Sequence, residues 1–294
     1  MFKVFISFML RTSFLFLSFA LNAESETRSL GTYNFGLSDR SSSEQITLLD
    51  QIGFSGLYLK LNSPKDLDLY RSYFEGSMDV ARDFTIRDVY YPYRSKEKWA
   101  KQDYWKTVID EISATPARFS FIPWDLPKPD LNGKVMQIVE YAQSKGVEVE
   151  LYPHVGSNIV DAEQAAEIIQ TLDYPKNLKL SFHYCHELRA GNADRIQEAF
   201  VKVSPLVSLV TISGADQPET NEDGTPKPWR HYIRPLRDSA FDFTQLLDAI
   251  RSSKWNGPIY LHTWGIKDIP TEEHLNESME IWKALQKTTE HEPK

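Results

Sequence analysis

The chain has 294 residues, of which 41% are hydrophobic and 13% aromatic, enough to bury a sizeable core. Its formal charge is −8 and no Lys/Arg run breaks the acidic balance. That surface disfavours nucleic acid and anionic membranes as partners and leaves a small neutral substrate open. The length suits one large barrel, which takes about 250 residues, or two smaller domains, and no domain boundary is visible.

At the amino end, Lys3 and Arg11 supply positive charge, Thr12 to Leu21 is apolar, and Asn22 and Ala23 follow. The pattern reads as a secretory signal over residues 1–23, cleaved near Ala20 or Ala23. The apolar stretch is shorter than the roughly 20 residues of a spanning helix, which argues against a membrane anchor. No Cys lies near the junction to carry a lipid. The expectation is a periplasmic or secreted domain over residues 24–294, with no membrane partner after cleavage and a charge of about −10. Cys185 is the single cysteine, so no disulfide within the chain staples the fold.

Short apolar or β-branched runs alternate with amphipathic helical runs, the pattern of repeated βα units. In chain order, a strand is expected over Tyr33–Leu37. A helix over Ser43–Ile52 follows, with Ile46, Leu48, Leu49 and Ile52 on one stripe. Strands then come over Gly56–Leu61, Thr85–Tyr90 and Arg118–Ile122. A helix over Asn132–Ser144 stripes Val135, Ile138, Val139 and Ala142, and leads to a strand over Glu148–Tyr152. Asp161 caps a helix running to Leu172, with Glu163 and Gln164 in its first turn. Strands over Lys179–His183 and Ser208–Ile212, a helix over Asp242–Ser252, a strand over Pro258–His262 and a helix over Thr271–Gln286 complete the series. Gly53, Gly146 and Gly257 each precede a strand, where a left-handed glycine closes a helix.

Eight such strands predict an α/β fold, a single (β/α)8 TIM barrel, with an open doubly wound sheet as the alternative. No G-x-G-x-x-G follows the first strand, which argues against a nucleotide cofactor. The longest irregular stretch, Gln217 to Ala240, contains Pro218, Gly224, Pro226, Pro228 and Pro235. It reads as a lid over the site or as a solvated insertion.

In such barrels the active site lies at the carboxyl ends of the strands. Those ends offer Lys60 and Asn62, then Tyr90, Tyr91, Tyr93 and Arg94, then Trp124 and Asp125. Tyr152 and His154 follow, then His183, His186 and Glu187, then Ser213 and Asp216, and last His262 and Trp264. Of 7 histidines, His154, His183, His186 and His262 fall at these ends. Imidazole ligates transition metals and moves protons near neutral pH. One such histidine alone is more often structural; several on one rim point to a site. Trp124, Tyr152, Trp229 and Trp264 suit the apolar faces of sugar rings, with Lys60, Asp125, Asp216 and Arg230 as polar partners. Tyr90 reads instead as core. No Arg/Lys cluster at a glycine-rich turn after strand seven or eight suggests a phosphate site, so the expected partner is a small, unphosphorylated carbohydrate.

Four segments carry a family resemblance. They are Leu151-Tyr152-Pro153-His154; Ser181-Phe182-His183-Tyr184-Cys185-His186-Glu187-Leu188; Ile212-Ser213-Gly214-Ala215-Asp216; and Gly257-Pro258-Ile259-Tyr260-Leu261-His262. In order and spacing they resemble the strand ends of the xylose isomerase-like barrel superfamily, which includes sugar isomerases and epimerases, inosose dehydratase and endonuclease IV. Ile233-Arg234-Pro235-Leu236 before Phe241-Asp242-Phe243 is similar to the segment leading into the last βα unit. The likeness covers the second half of the chain in motif and the first half in architecture.

The resemblance implies a divalent metal held by acids after strands five and eight, an Asp of a D-x-x-H motif and a His after strand seven. This sequence departs at each ligand position: Tyr152, His183, Ser213 and His262 stand there. His186 keeps the histidine of D-x-x-H, and Asp216 keeps an acid after strand seven. Two readings follow. In one, His154, His183 and His262, joined by His186 or Asp125, hold a divalent ion such as Mn or Zn. A remaining His or Tyr, from His154, His186 and Tyr152, then moves a proton next to a sugar carbonyl. Isomerisation or epimerisation is the default outcome and β-elimination from a keto-glycoside the neighbouring one. In the other reading the barrel binds a carbohydrate without catalysis. The endonuclease branch needs more metal carboxylates and a basic groove than this acidic chain offers.

Overall fold

A computed structural model describes residues 28–80, 84–216, 221 and 225–288. The expected export signal at 1–23, the tail with His291, and Pro218 and Gly224 of the long loop lie outside these residues. Eight parallel strands close into a barrel in chain order. They are β1 (Leu30–Tyr33), β2 (Gly56–Lys60), β3 (Thr85–Tyr93), β4 (Arg118–Pro123), β5 (Val149–Leu151), β6 (Leu178–His183), β7 (Val207–Ile212) and β8 (Ile259–Leu261). β1 pairs with both β2 and β8, so no edge is left open.

Helices separate the strands: α1 (Ser42–Ile52), α2 (Pro64–Val80), α3 (Lys98–Lys101), α4 (Tyr104–Ile112), α5 (Leu131–Ser144), α6 (Ala162–Thr171), α7 (Tyr184–Ala190), α8 (Ile196–Val203), α9 (Thr244–Ser252) and α10 (Thr271–Thr288). The expected caps form. Ser41 and Glu44 make a reciprocal capping box on α1, Gly53 closes it with φ 107°, and Asp161 accepts the Gln164 amide at the start of α6.

Two expectations from the sequence are corrected. β1 ends at Tyr33 rather than beginning there, because Gly36 at φ 81° turns the chain and the Leu37 amide bonds back to Asn34. Gly257 does not take a left-handed conformation; Lys254 does, at φ 56°. Gly257 is needed for close packing instead, since a Cβ there would sit 2.9 Å from the Ser208 carbonyl and inside the Trp255 ring. Among the described residues no helix is long and apolar enough to cross a membrane.

The protein has two cores. The larger lies between strands and helices, with Trp105, Phe119, Phe182 and Phe200 fully buried. The smaller fills the barrel and is built from Tyr33, Tyr58, Tyr90, Ile122, Tyr152, Leu209 and Tyr260. Branched aliphatics usually fill such barrels. Here tyrosines do, over a polar floor. Arg118 Nε donates to Asp88 (2.7 Å), Tyr260 donates to Asp88 (2.9 Å), and Glu150 accepts from Ser120 (2.5 Å) and Ser208. Burial pushes the Glu150 carboxyl up despite the nearby Arg118. The hydrogen bonds are what make such buried charge tolerable.

Candidate active site

A cavity of about 500 Å³ opens at the carboxyl ends of the strands. Of the residues picked out from the sequence, Lys60, Trp124, Tyr152, His154, His186, Trp229, His262 and Trp264 line it. Tyr33, Phe35, Arg94, Glu97 and Ile233 line it too. Arg94 was seen at a strand end but given no role. The sequence pattern starts the first strand at Tyr33 and so does not offer Tyr33 and Phe35; the strand starts at Leu30, and Tyr33 stands at its carboxyl end.

Local structure fixes the imidazoles. After β5 the chain makes a tight loop through Gly156 at φ 96°, with the His154 amide bonded to the Ile159 carbonyl (2.8 Å). Asn158 clamps this loop to the one after β4 by donating to the Leu126 carbonyl and accepting its amide, both at 2.8 Å. His154 therefore packs against Trp124, ring centroids 4.4 Å apart, and against His186 at 4.1 Å. Arg94 covers Trp124 at 3.9 Å. His186 sits in the first turn of α7 and meets Trp229 edge-on at 4.9 Å.

Hydrogen bonds assign the ring protons. His154 Nδ1 faces the Val155 carbonyl at 2.9 Å. A carbonyl only accepts, so Nδ1 carries the proton and Nε2 keeps its lone pair. The Val155 amide donates to His186 Nδ1 (3.3 Å), and the Trp264 amide donates to His262 Nδ1 (3.4 Å). Those rings, when neutral, carry their protons on Nε2.

Neutral they are. Burial brings His154 down to about 4 and His262 to about 3. His186 is likewise held well below its usual value, by burial and then by its histidine neighbours. The Tyr33 and Tyr152 hydroxyls share one hydrogen bond (3.3 Å). Burial keeps both phenols protonated far above the usual range, so one O–H of the pair remains free to donate. The arrangement is one imidazole lone pair among several N–H and O–H donors, with the cations Lys60 and Arg94 at the wall.

Several expectations are corrected here. His183 is no metal ligand: it is fully buried, with Nδ1 bonded to Thr211 (3.0 Å) and Nε2 to Ser181 (2.7 Å). His262 has its lone pair on the Trp264 amide. Of the expected metal triad, only His154 has a lone pair left for a cation. No three His, Cys, Asp or Glu side chains among the described residues are grouped to hold one. The donor set thus does not fit the expected divalent ion. Asp125 and Asp216 lie off the cavity wall. Asp125 accepts the Ser95 amide. Asp216 bonds His231 (2.6 Å) and Arg234 (3.3 Å), tying the start of the loop after β7 to its later part. Arg230 lines a neighbouring cleft rather than this cavity.

Residues 134–285 match the family described as xylose isomerase-like TIM barrel. The chain belongs to this family. The resemblance read in the strand ends is borne out, and so is the single (β/α)8 barrel. No curated protein matches the chain. Solved structures share its fold. The probable 3-DHS dehydratase of petrobactin synthesis from Bacillus anthracis is 12% identical, with a TM-score of 0.67 over 87% of this chain and 98% of that one. The 3-keto-D-glucoside 4-epimerase from E. coli is 12% identical, with a TM-score of 0.66 over 87% and 99%. A xylose isomerase-like TIM barrel protein from Mycobacterium smegmatis, in complex with magnesium, is 13% identical, with a TM-score of 0.61 over 89% and 97%.

Proposed function

We propose that this family member is a carbohydrate-active enzyme of isomerase or epimerase type that removes a proton next to a sugar carbonyl. One observation carries the reading: a neutral imidazole, His154, directs its only lone pair away from its own backbone and lies in an aromatic-walled cavity among protonated donors. That is the equipment of a general base facing an oxyanion site.

His154 Nε2 takes the proton from the carbon beside the carbonyl. The electron pair moves onto the carbonyl oxygen. That oxygen is met by the free O–H of the Tyr33/Tyr152 pair and by the N–H groups of His186 and His262. Lys60 and Arg94 lower the energy of the enediolate charge. Return of the proton to the opposite face epimerises the carbon; its delivery to the neighbouring carbon isomerises the sugar. Trp124, Trp229 and Trp264 hold the ring by its apolar faces. No step requires the divalent ion for which the donors do not fit. The 3-keto-D-glucoside 4-epimerase and the 3-DHS dehydratase that share the fold support chemistry of this kind.

A second reading has an observation of its own. A further cleft of about 680 Å³ shares the Phe35, Trp229 and Trp264 walls. It gives room for a second sugar unit, as β-elimination from a keto-glycoside requires. The same enolate then expels the glycosidic oxygen, which takes the proton that His154 removed and returns that imidazole to its neutral form. The test is incubation of the protein with keto-sugars and keto-glycosides in deuterated water. Deuterium at the carbon beside the carbonyl supports proton removal, and product analysis separates epimer, isomer and eliminated glycoside. Binding of these sugars with no exchange at any carbon overturns the enzyme reading in favour of a non-catalytic carbohydrate-binding barrel.

A further inference from the structure

The cleft beside the active-site cavity is built from three loops. Arg189 comes from α7 after β6, Arg230 from the loop after β7, and Lys267 from the loop after β8. The wall contains these three cations and no Asp or Glu among its described residues. On a chain of net charge −8 such one-signed clustering runs against the overall surface. Arg230 and Lys267 are exposed at the rim. Arg189 is half-buried, its guanidinium 4.2 Å over the Trp229 ring and 5.6 Å from that of Tyr232. Its Nε and Nη1 are buried with no hydrogen-bond acceptor. A guanidinium held flat on aromatic rings, short of acceptors, is prepared for an oxyanion. Trp229 stands between the two spaces, with His186 at its edge on one side and Arg189 over its face.

We infer that this cleft binds an oxyanion carried by a saccharide, the carboxylate of a uronate or a sulfate ester, on the sugar unit next to the reacting one. The inference rests on the carbohydrate reading of the cavity and adds the substrate class to it. A two-unit acidic saccharide then lies across Trp229, with its keto ring under His154 and its anionic group on Arg189, Arg230 and Lys267. The sequence at any one loop does not show this, because each loop gives the cleft a single cation and the cluster exists only once the barrel closes.

The test is binding of glucuronate, galacturonate, glucose 6-sulfate and N-acetylglucosamine 6-sulfate, each compared with its neutral parent by calorimetric titration. At least one acidic sugar is expected to bind about tenfold or more tightly than its parent, as a charge-assisted hydrogen bond provides. The uronate and sulfate arms identify which oxyanion is taken. The advantage should shrink to about threefold or less in the Arg230→Gln/Lys267→Gln double variant and at high salt. Both positions are exposed, so folding is not at stake; Arg189→Gln is a second variant, with its melting temperature checked. No acidic sugar surpassing its parent, or an advantage unchanged in both variants, overturns the inference. Inorganic sulfate binding as tightly as a sulfated sugar also overturns it. Deuterium exchange that persists while the acidic preference is absent leaves the proton-transfer reading standing. Acidic preference without any exchange removes that reading and keeps the cleft.

Discussion

Tyr152 lies flat on His183, ring centroids 3.5 Å apart and planes 10° from parallel. His183 is in turn fixed at both nitrogens, by Thr211 across the register of β6 with β7 and by Ser181 on its own strand. The ring thus acts as a rigid shelf under the phenol whose hydroxyl reaches the cavity. His183 is a positioning residue, two contacts away from any chemistry.

Replacing it should therefore act on stability first. His183→Leu leaves the Ser181 and Thr211 hydroxyls buried without their partner, which costs about 1–3 kcal/mol. Urea denaturation should show that loss. His183→Asn, which keeps a donor and an acceptor, should recover part of it. A His183→Leu protein as stable as the parent would remove the shelf from the account.

His154 should behave differently. His154→Ala is expected to lower deuterium exchange by about 10²–10⁴-fold while sugar affinity changes little. Added imidazole should restore part of the rate, since the missing element is a lone pair and the cavity has the space. A loss of affinity equal to the loss of rate would mean that His154 binds sugar rather than takes the proton.

The barrel and the rim of histidines were legible in the sequence because both follow from period: strands repeat along the chain, and the histidines fall at strand ends. What each histidine does was not legible. His154 and His262 differ in role through one bond each, to the Val155 carbonyl and from the Trp264 amide, and backbone direction in a loop leaves no mark in residue type. His183 looked like a ligand because it stands where the family places an acid. Only the register with Thr211 shows that its nitrogens are engaged. Tyr33 is hidden because the sequence pattern starts the strand at Tyr33, where the strand in fact ends, and alternation cannot separate a strand from the turn that ends it. Arg189 and Lys267 carried no motif at all.

The phenol pair gives a third expectation. Tyr152→Phe removes the hydroxyl of the ring that meets both His154 (6.1 Å) and His186 (5.8 Å) and should lower the exchange rate by about 10–10³-fold, as loss of an oxyanion donor does. Tyr33→Phe should lower it less, because Tyr152 can still donate to substrate. Equal losses in the two variants would show that both hydroxyls touch the reacting oxygen. No loss in either would exclude the pair as the oxyanion donor.

Metal removal is the fourth. Dialysis against EDTA should leave both melting temperature and exchange rate unchanged, because the lone pairs of His183, His186 and His262 are held by hydroxyl and amide donors. A rate that falls on dialysis and returns with manganese or zinc would show that these bonds give way to a cation.

The buried histidines also set a pH dependence. An unfolded histidine titrates near 6.5, but folded His154 does so at about 4 and His262 at about 3, with His183 and His186 also displaced downward by burial. Between those values the unfolded chain holds protons that the folded chain refuses, so stability falls as pH drops below 6.5. Each such histidine contributes about 1.4 kcal/mol per pH unit in that window. Glu187 opposes this. Burial raises it to about 7 even though the Ala162 amide and Asn192 bond it, so the folded state keeps its proton where the unfolded one has lost it. Glu150, also raised by burial, acts in the same sense as Glu187. Burial also brings His274 to about 4, and five histidines outweigh two carboxyls, so urea midpoints should decline from neutral pH toward pH about 5. His262→Gln should make that decline shallower, and Glu187→Gln should make it steeper. An unaltered slope in His262→Gln would mean that this imidazole is not buried in its neutral form. The acid limb of the exchange rate, set by His154, should accordingly fall near pH 4 rather than 6.5.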